Sequence, residues 1–254
     1  MSFVSGAPLK RARNLLLGGD GYRSRLLLNL NDPINGRDAV TGTIFQIQDA
    51  GNPSAGLYTA SGRFLEGYYA NGPLTWTGSR GLSSVVASRV WDVASDTGDF
   101  QLSFWVQCQS VPATIAYACV TINEEPFDSN NFIAVSIGSN AARTNIRVAF
   151  TSSQSNNFVQ TCAVSIPFDG AWHFVCVGRI GNTHYVSIDG SGPSAGTTMN
   201  LSYRRSPGSR TVLIGTNGNT GQSNAIFDAI WLVDGSPYDL ANGFAVPTAA
   251  PVLL

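Results

Sequence analysis

AWHFVCVGRIGNTHYVSIDG, running from Ala171 to Gly190, alternates in steps of two. Successive side chains of an extended chain point to opposite faces, so Trp172, Phe174 and Cys176 share one side and His173, Val175 and Val177 the other. Both sides are largely apolar, the pattern of a strand covered on both faces. Gly181, Asn182 and Thr183 supply a turn, after which His184, Val186 and Ile188 share one face of a returning strand. The segment therefore predicts a β-hairpin inside a layered structure, with Trp172 expected deep between the layers. His173 becomes a covered or rim residue and His184 opens the second strand. Both are read as structural histidines, since a catalytic or metal-binding role would need a nucleophile or metal partners within reach.

The same grammar extends in both directions. Short runs rich in Val, Ile, Phe, Trp and Thr recur: RLLLNLN, TIFQIQD, FQLSFWVQ, TIAYACVTI, NFIAVSIG, NIRVAFTS, FVQTCAVSI, TVLIGT and AIFDAIWLVD. Between them stand turn pairs that tolerate positive φ, namely Asn35-Gly36, Asn71-Gly72, Asp169-Gly170, Asp189-Gly190, Asn217-Gly218, Asp234-Gly235 and Asn242-Gly243. Many short strands at such spacing predict a sandwich or barrel. Helix is expected only as short turns near PYDLANG and around Leu82 to Val86. Two segments stand outside the pattern: an arm over residues 1–19 and an apolar, proline-containing tail over 246–254. Proline keeps the tail extended and out of a central sheet position, and its apolar side chains call for cover from its own domain or a partner.

At 254 residues with 43% hydrophobic content, the chain has material for one large all-β domain, expected over 20–245. Charged residues make up only 12%, about half the usual share. Fourteen of the fifteen basic residues are Arg, with Lys10 the sole lysine. Arginine sheds water more readily and bonds through a planar fork, which suits interfaces; compositional drift of a small genome accounts for the bias equally well. The net charge of −1 carries no global signature of nucleic-acid binding. Residues 1–30 nevertheless hold Lys10, Arg11, Arg13, Arg23 and Arg25 against Asp20, a local excess of +4. No apolar run approaches the ~18 residues of a membrane span, and NLLLGG has neither the length nor the cleavage site of a secretory signal. The expected location is the cytoplasm in which the chain is made.

Cys108, Cys119, Cys162 and Cys176 show no C-x-x-C spacing and sit among apolar neighbours. That pattern predicts reduced core thiols rather than a zinc site. Cys162 and Cys176 flank Asp169-Gly170 almost symmetrically, so a cross-strand bridge between them is the one disulfide the spacing offers.

Three segments together carry a family resemblance: DFQLSFWVQ, then FDGAWHFVCVGRIGNTHYVSIDG, then VLIGTNGN with AIFDAIWLVDGSPYDLANGFAVPTAAP. They resemble the laminin-G-like, concanavalin A-like jelly roll, with its strand ending in Phe-Trp, its Trp-His-led strand answered by one ending in Asp-Gly, and its late Ile-Gly. The opening DGYRSRLLLNLND is similar to that family's first strand. The ending, with Tyr238, Phe244 and Pro247, looks like versions found in bacteriophage structural proteins. The resemblance covers about residues 20 to 251 and implies an all-β jelly-roll β-sandwich with an extended N-terminal arm and C-terminal tail.

That architecture also hosts glucanases and lectins, so the site rather than the fold decides function. Retaining glucanases need two carboxylates about 5 Å apart; Glu66, Glu124 and Glu125 are the only glutamates, and they form no such pattern. GPSAG at 192–196 matches a nucleophile-elbow expression, but no histidine follows Ser194 to complete a triad, so it is read as a flexible loop. GTNGNTG lacks the lysine of a phosphate loop. The chain is expected not to be an enzyme and to need no cofactor. Calcium is the one ion with a candidate loop, NEEPFDSNN at Asn123 to Asn131, rich in oxygen ligands but without EF-hand order. A carbohydrate platform would be Tyr68, Tyr69 and Trp76 in EGYYANGPLTWTG.

The expectation that follows is a non-enzymatic virion structural protein of a bacteriophage, a capsid decoration (cement) or tail-associated piece, forming homo-oligomers and gripping major capsid or tail subunits. The alternative is a carbohydrate-binding adhesin module of a tail fibre. In the first reading the arm is the contact. Leu15, Leu16 and Leu17 fill an apolar groove, and Lys10, Arg11 and Arg13 pair with partner carboxylates. Too little apolar surface stands in residues 1–19 to offset their ordering entropy, so the arm is expected to order only on a neighbouring subunit.

Overall fold

The computed structural model describes residues 22–28, 36–49, 59–64, 66–70, 80–93, 98–108, 117–124, 132–137, 145–151, 158–191, 194–195, 209–215 and 225–249. Among these described residues sixteen strands are formed. The first six are β1 (Arg23–Leu28), β2 (Gly36–Arg37), β3 (Ile44–Asp49), β4 (Thr59–Ser61), β5 (Glu66–Ala70) and β6 (Arg80–Ser84). Then come β7 (Phe100–Cys108), β8 (Tyr117–Glu124), β9 (Phe132–Ile137), β10 (Asn145–Thr151) and β11 (Phe158–Ser165). The last five are β12 (Trp172–Ile180), β13 (Thr183–Ile188), β14 (Ser194–Ala195), β15 (Arg210–Ile214) and β16 (Ala225–Asp234).

They assemble into two antiparallel sheets of eight strands. Sheet A runs β14-β13-β12-β7-β16-β5-β4, with β1 also paired to β16. Sheet B runs β11-β10-β9-β8-β15-β6-β3-β2. Each strand expected from alternation is present. Those that alternation missed are short: β2, β4, β5, β6 and β14.

The inward row of each strand builds the core between the sheets. Phe100, Leu102, Phe104 and Val106 of β7 meet Val175 and Val177 of β12, Phe227 and Leu232 of β16, and Val120, Val135, Ile146 and Val212 from sheet B. Removing this much apolar surface from water is the main driving force for joining the sheets. The hairpin of Ala171–Gly190 pairs as read, Val175 with Ile188, Val177 with Val186 and Arg179 with His184.

Three expectations need correction. Trp172 is only half-buried and lies on the outer face of sheet A. Alternation groups it correctly with Phe174 and Cys176, but the Val175 row faces the opposite sheet. Among the described residues the tryptophan buried between the layers is Trp91, in a 3-10 turn over Arg89–Trp91. Residues 82–84 continue β6 instead of turning helically, because their backbone pairs with β3 and β15. Ser194 and Ala195 pair with Val186 and Tyr185 as an edge strand, so this part of GPSAG is not a loose loop. The thiols of Cys108 and Cys176 are free and buried, as expected, and the alternative bridge of Cys176 to Cys162 is not formed, since β11 and β12 belong to different sheets. The short turn expected near PYDLANG is present, closed by Gly243 N–H donating to the Asp239 carbonyl at 2.9 Å.

A buried carboxylate fastens one end of the sandwich. Asp38, with no exposed surface, accepts from the backbone N–H groups of Leu27 (2.9 Å), Val40 (3.1 Å) and Thr41 (3.1 Å). It also accepts from the indole N–H of Trp91 at 3.3 Å. A buried charge persists only where its acceptor capacity is filled in this way.

Candidate functional site

The C-terminal segment supplies the second cover that the apolar outer row of sheet A requires. After β16 the chain turns at Gly235, and residues 236–246 run back over the outer face. Tyr238, Leu240, Phe244 and Val246 pack there on Trp105, Phe174 and Cys176. Phe174 meets Tyr238 edge-on at 5.5 Å, and the Tyr238 and Phe244 rings stack at 4.7 Å. Gln101 holds the strap, donating to the Tyr238 carbonyl at 2.7 Å and accepting from the Tyr238 N–H at 3.0 Å. Burial pushes up the Tyr238 hydroxyl pKa, and the nearby Cys176 thiol adds to the shift.

Beyond the strap, the outer face continues to the loop between β4 and β5. Here β16 breaks register between Asp228 and Trp231, and Ala229 adopts φ 49°. This is the local signature of a β-bulge, which re-aims side chains. The buried Asp228 turns one carboxylate oxygen to the Phe64 N–H at 3.0 Å and the other to the Ala229 N–H at 2.7 Å. Burial raises the Asp228 pKa, and the backbone N–H groups of Phe64, Ala229 and Arg63 hold it back. The anchored loop sets Phe64 edge-on to Trp105 at 5.9 Å and lays the exposed Arg63 guanidinium over the Trp105 ring, 4.9 Å from its centroid.

A second polar cluster closes the rim where the chain crosses from sheet B to sheet A. His173 contacts Asp189 through Nδ1 at 2.7 Å and Asp169 through Nε2 at 3.1 Å. A ring facing carboxylates on both sides is suited to the doubly protonated form. Burial opposes that charge, but the bonds to Asp189 and Asp169 outweigh it and raise the His173 pKa. Asp169 is lowered in turn, first by the Ala171 N–H and then by His173. Asp189 also accepts from the Phe174 N–H at 2.8 Å, and Gln107 of β7 donates to the Gly170 carbonyl at 2.6 Å. This cluster clips the crossover to the hairpin. Its ring nitrogens are occupied and unavailable as a proton shuttle.

The other reactive side chains are similarly restrained. Burial drives the Cys108 thiol up to about 12, with Asp169 adding to it, and burial also raises the Cys176 thiol. His184, fully buried, is lowered to about 4 by desolvation and then by the charge of Arg179. Among the described residues, no group of three or more His, Cys, Asp or Glu side chains could hold a metal ion.

Of the residues singled out in the sequence, Lys10, Arg11, Arg13, Leu15, Leu16, Leu17 and Trp76 lie outside the described residues. Tyr68 and Tyr69 are placed by backbone, in register with Phe227 and Ile226 of β16; their side chains are outside the described set. The candidate calcium loop leaves the described residues after Glu124. His173 and His184 both lie in the hairpin strands, the first bonded to Asp189 and Asp169 and the second fully buried. Arg63 was missed. A lone arginine in SGRFLEG carries no local signal, and its position over Trp105 comes from a bulge 165 residues further along.

No family model matches the chain, and no curated protein matches it in sequence. Solved structures do resemble it. Domain 4 of a GH43 extracellular arabinanase from Geobacillus stearothermophilus, solved with arabinotriose, matches with a TM-score of 0.57 at 15% identity, over 84% of this chain and 93% of that one. The fold is a jelly-roll β-sandwich. The binding domain of botulinum neurotoxin DC, solved with SialylT, matches with a TM-score of 0.54 at 13% identity, over 83% of this chain and 47% of that one. A Trypanosoma rangeli sialidase, in complex with the inhibitor DANA, gives 0.53 at 14% identity over 84% of this chain and 30% of that one. At these identities the likeness is one of architecture. The bacteriophage part of the expected resemblance finds no support among them.

Proposed function

We propose that this chain is a non-enzymatic recognition module that binds carbohydrate. The observation that carries the reading is the near end-to-end likeness to the arabinanase domain solved with arabinotriose, 93% of which is covered. The chemistry of the described side chains agrees with binding rather than turnover. The thiols of Cys108 and Cys176 are held protonated, His173 is tied to two carboxylates, and His184 is buried and neutral. A glycan array probed with the purified protein tests the reading. Saturable binding to at least one sugar class without its hydrolysis is expected, and an array blank at high protein concentration overturns it.

A second reading, the virion structural subunit that grips neighbouring capsid or tail proteins, draws on a different observation. Val85 and Val86, just beyond β6, are 54% and 57% exposed. Adjacent exposed valines are poor sugar ligands but suit a protein contact, as does the low charged content of 12%. Val85→Ser with Val86→Ser, assayed by attachment to particles lacking the protein, tests it; unchanged attachment removes this support.

A further inference from the structure

Two hydrogen-bond donors on the outer face of sheet A have no acceptor among the described residues. The indole Nε1 of Trp105 is buried and unbonded, and Trp105 as a whole is 5% exposed. The guanidinium of Arg63 rests on that same ring and on Phe64, 4.9 and 5.7 Å from their centroids, with no carboxylate or carbonyl among the described residues accepting from it. An arginine stacked on an aromatic face keeps its charge and its planar fork, and the stacking restricts its rotamers before any ligand arrives. Its backbone is equally settled, because Asp228 pins the 63–64 loop to the β16 bulge. The carboxylate of Asp228 is spent on backbone amides and so is not the missing partner of the guanidinium.

We propose that Arg63 and Trp105 form the subsite for a carboxylated sugar, a uronic or sialic acid residue of the bound glycan. The inference rests on the carbohydrate reading above and deepens it. A guanidinium fork matches a planar carboxylate through two parallel hydrogen bonds. The half-buried Phe64 beside it offers an apolar edge to the sugar ring, while Trp105, 5% exposed, lies beneath the guanidinium and braces it. The charge count also selects the ligand. The guanidinium laid over Trp105 is that of Arg63, and the chain as a whole carries a net charge of −1. Such a site suits one monoanionic group rather than a phosphate or a sulfated polymer, which require several cations.

The test uses the full chain and two probe pairs: 3′-sialyllactose against lactose, and a glucuronic-acid-terminated disaccharide against its glucose counterpart. Titration calorimetry gives affinity, and tryptophan fluorescence reports the environment of the indole. At least one acidic sugar is expected to bind about tenfold or more tightly than its neutral partner. Arg63→Gln should remove that preference and Arg63→Lys should keep part of it, with melting of both variants near that of the parent because Arg63 is exposed. Equal binding of acidic and neutral sugars, or an Arg63→Gln variant that keeps the preference, overturns the subsite and leaves the carbohydrate reading standing. An array that is positive only for neutral glycans has the same meaning. No binding to any probe together with a blank array removes both.

Discussion

Gly190 and Phe244 meet backbone to backbone. The Phe244 N–H donates to the Gly190 carbonyl at 3.2 Å, and a Cβ placed on Gly190 would overlap the Phe244 carbonyl oxygen. Gly190 also adopts φ +65°, a region that side chains disfavour. The turn after β13 is thus the seat of the C-terminal strap. Gly190→Ala is expected to cost about 2–4 kcal/mol through backbone strain and displacement of the strap. Urea unfolding measures the loss, and acrylamide quenching should reveal newly exposed tryptophan. Wild-type stability in the variant would show that the strap does not depend on this contact.

The two histidines should act on stability with opposite signs. His173 has a folded pKa raised above 6.5, so its contribution is full below that value and is lost as pH rises through the folded pKa. His184 is lowered from 6.5 to about 4, so the unfolded chain binds its proton first and stability falls as pH drops from 6.5 towards 4. Melting temperature measured from pH 4 to 9 should therefore decline on both sides. His173→Gln should flatten the alkaline limb and leave the acid limb in place. An alkaline limb unchanged in His173→Gln would assign it to another group.

Tryptophan truncations should separate the two cores. Trp91 is fully buried between the sheets and bonded to Asp38, so Trp91→Ala is expected to cost about 3–5 kcal/mol or more. Trp172 sits half-buried at the edge of the outer cluster, and Trp172→Ala should cost only about 1–3 kcal/mol. Chemical denaturation of the pair checks the order. A larger loss at Trp172 would contradict the layer assignment.

The buried ion pair between Arg210 and Asp92 offers a double-mutant test. Arg210 Nε and an Nη donate to one Asp92 oxygen at 2.9 and 2.8 Å, with both residues buried. Arg210→Met strands the carboxylate of Asp92 away from its guanidinium and should cost about 3–5 kcal/mol. Adding Asp92→Leu should recover much of that. A double variant as unstable as the single one would mean that packing around Arg210, not charge, carries the loss.

Much of the sandwich was legible because strand alternation is a local signal. Val175 and Val177, or Val186 and Ile188, declare a shared face within one short segment. The short strands β2, β4 and β14 were not legible, since two or three residues contain no period and form only where a neighbour offers hydrogen bonds. The candidate site was less legible still. Tyr68 and Tyr69 stand out as letters, whereas Arg63 acquires meaning only from Trp105 in β7 and the bulge at Asp228.

By itself the sequence determined the strand segments, the turn pairs and the grouping of side chains into opposite rows, because each depends on residues a few positions apart. Tertiary structure decided which row became the inside. Both rows of Trp172–Ile180 are apolar, so alternation is symmetric with respect to the two faces. The choice was made by what arrived on each side, sheet B against Val175 and Val177 and the strap of Tyr238 and Phe244 against Phe174. The long-range pairing of β16 with β7, broken at Asp228 to hold the 63–64 loop, placed a guanidinium on an indole, a relationship that no local pattern encodes.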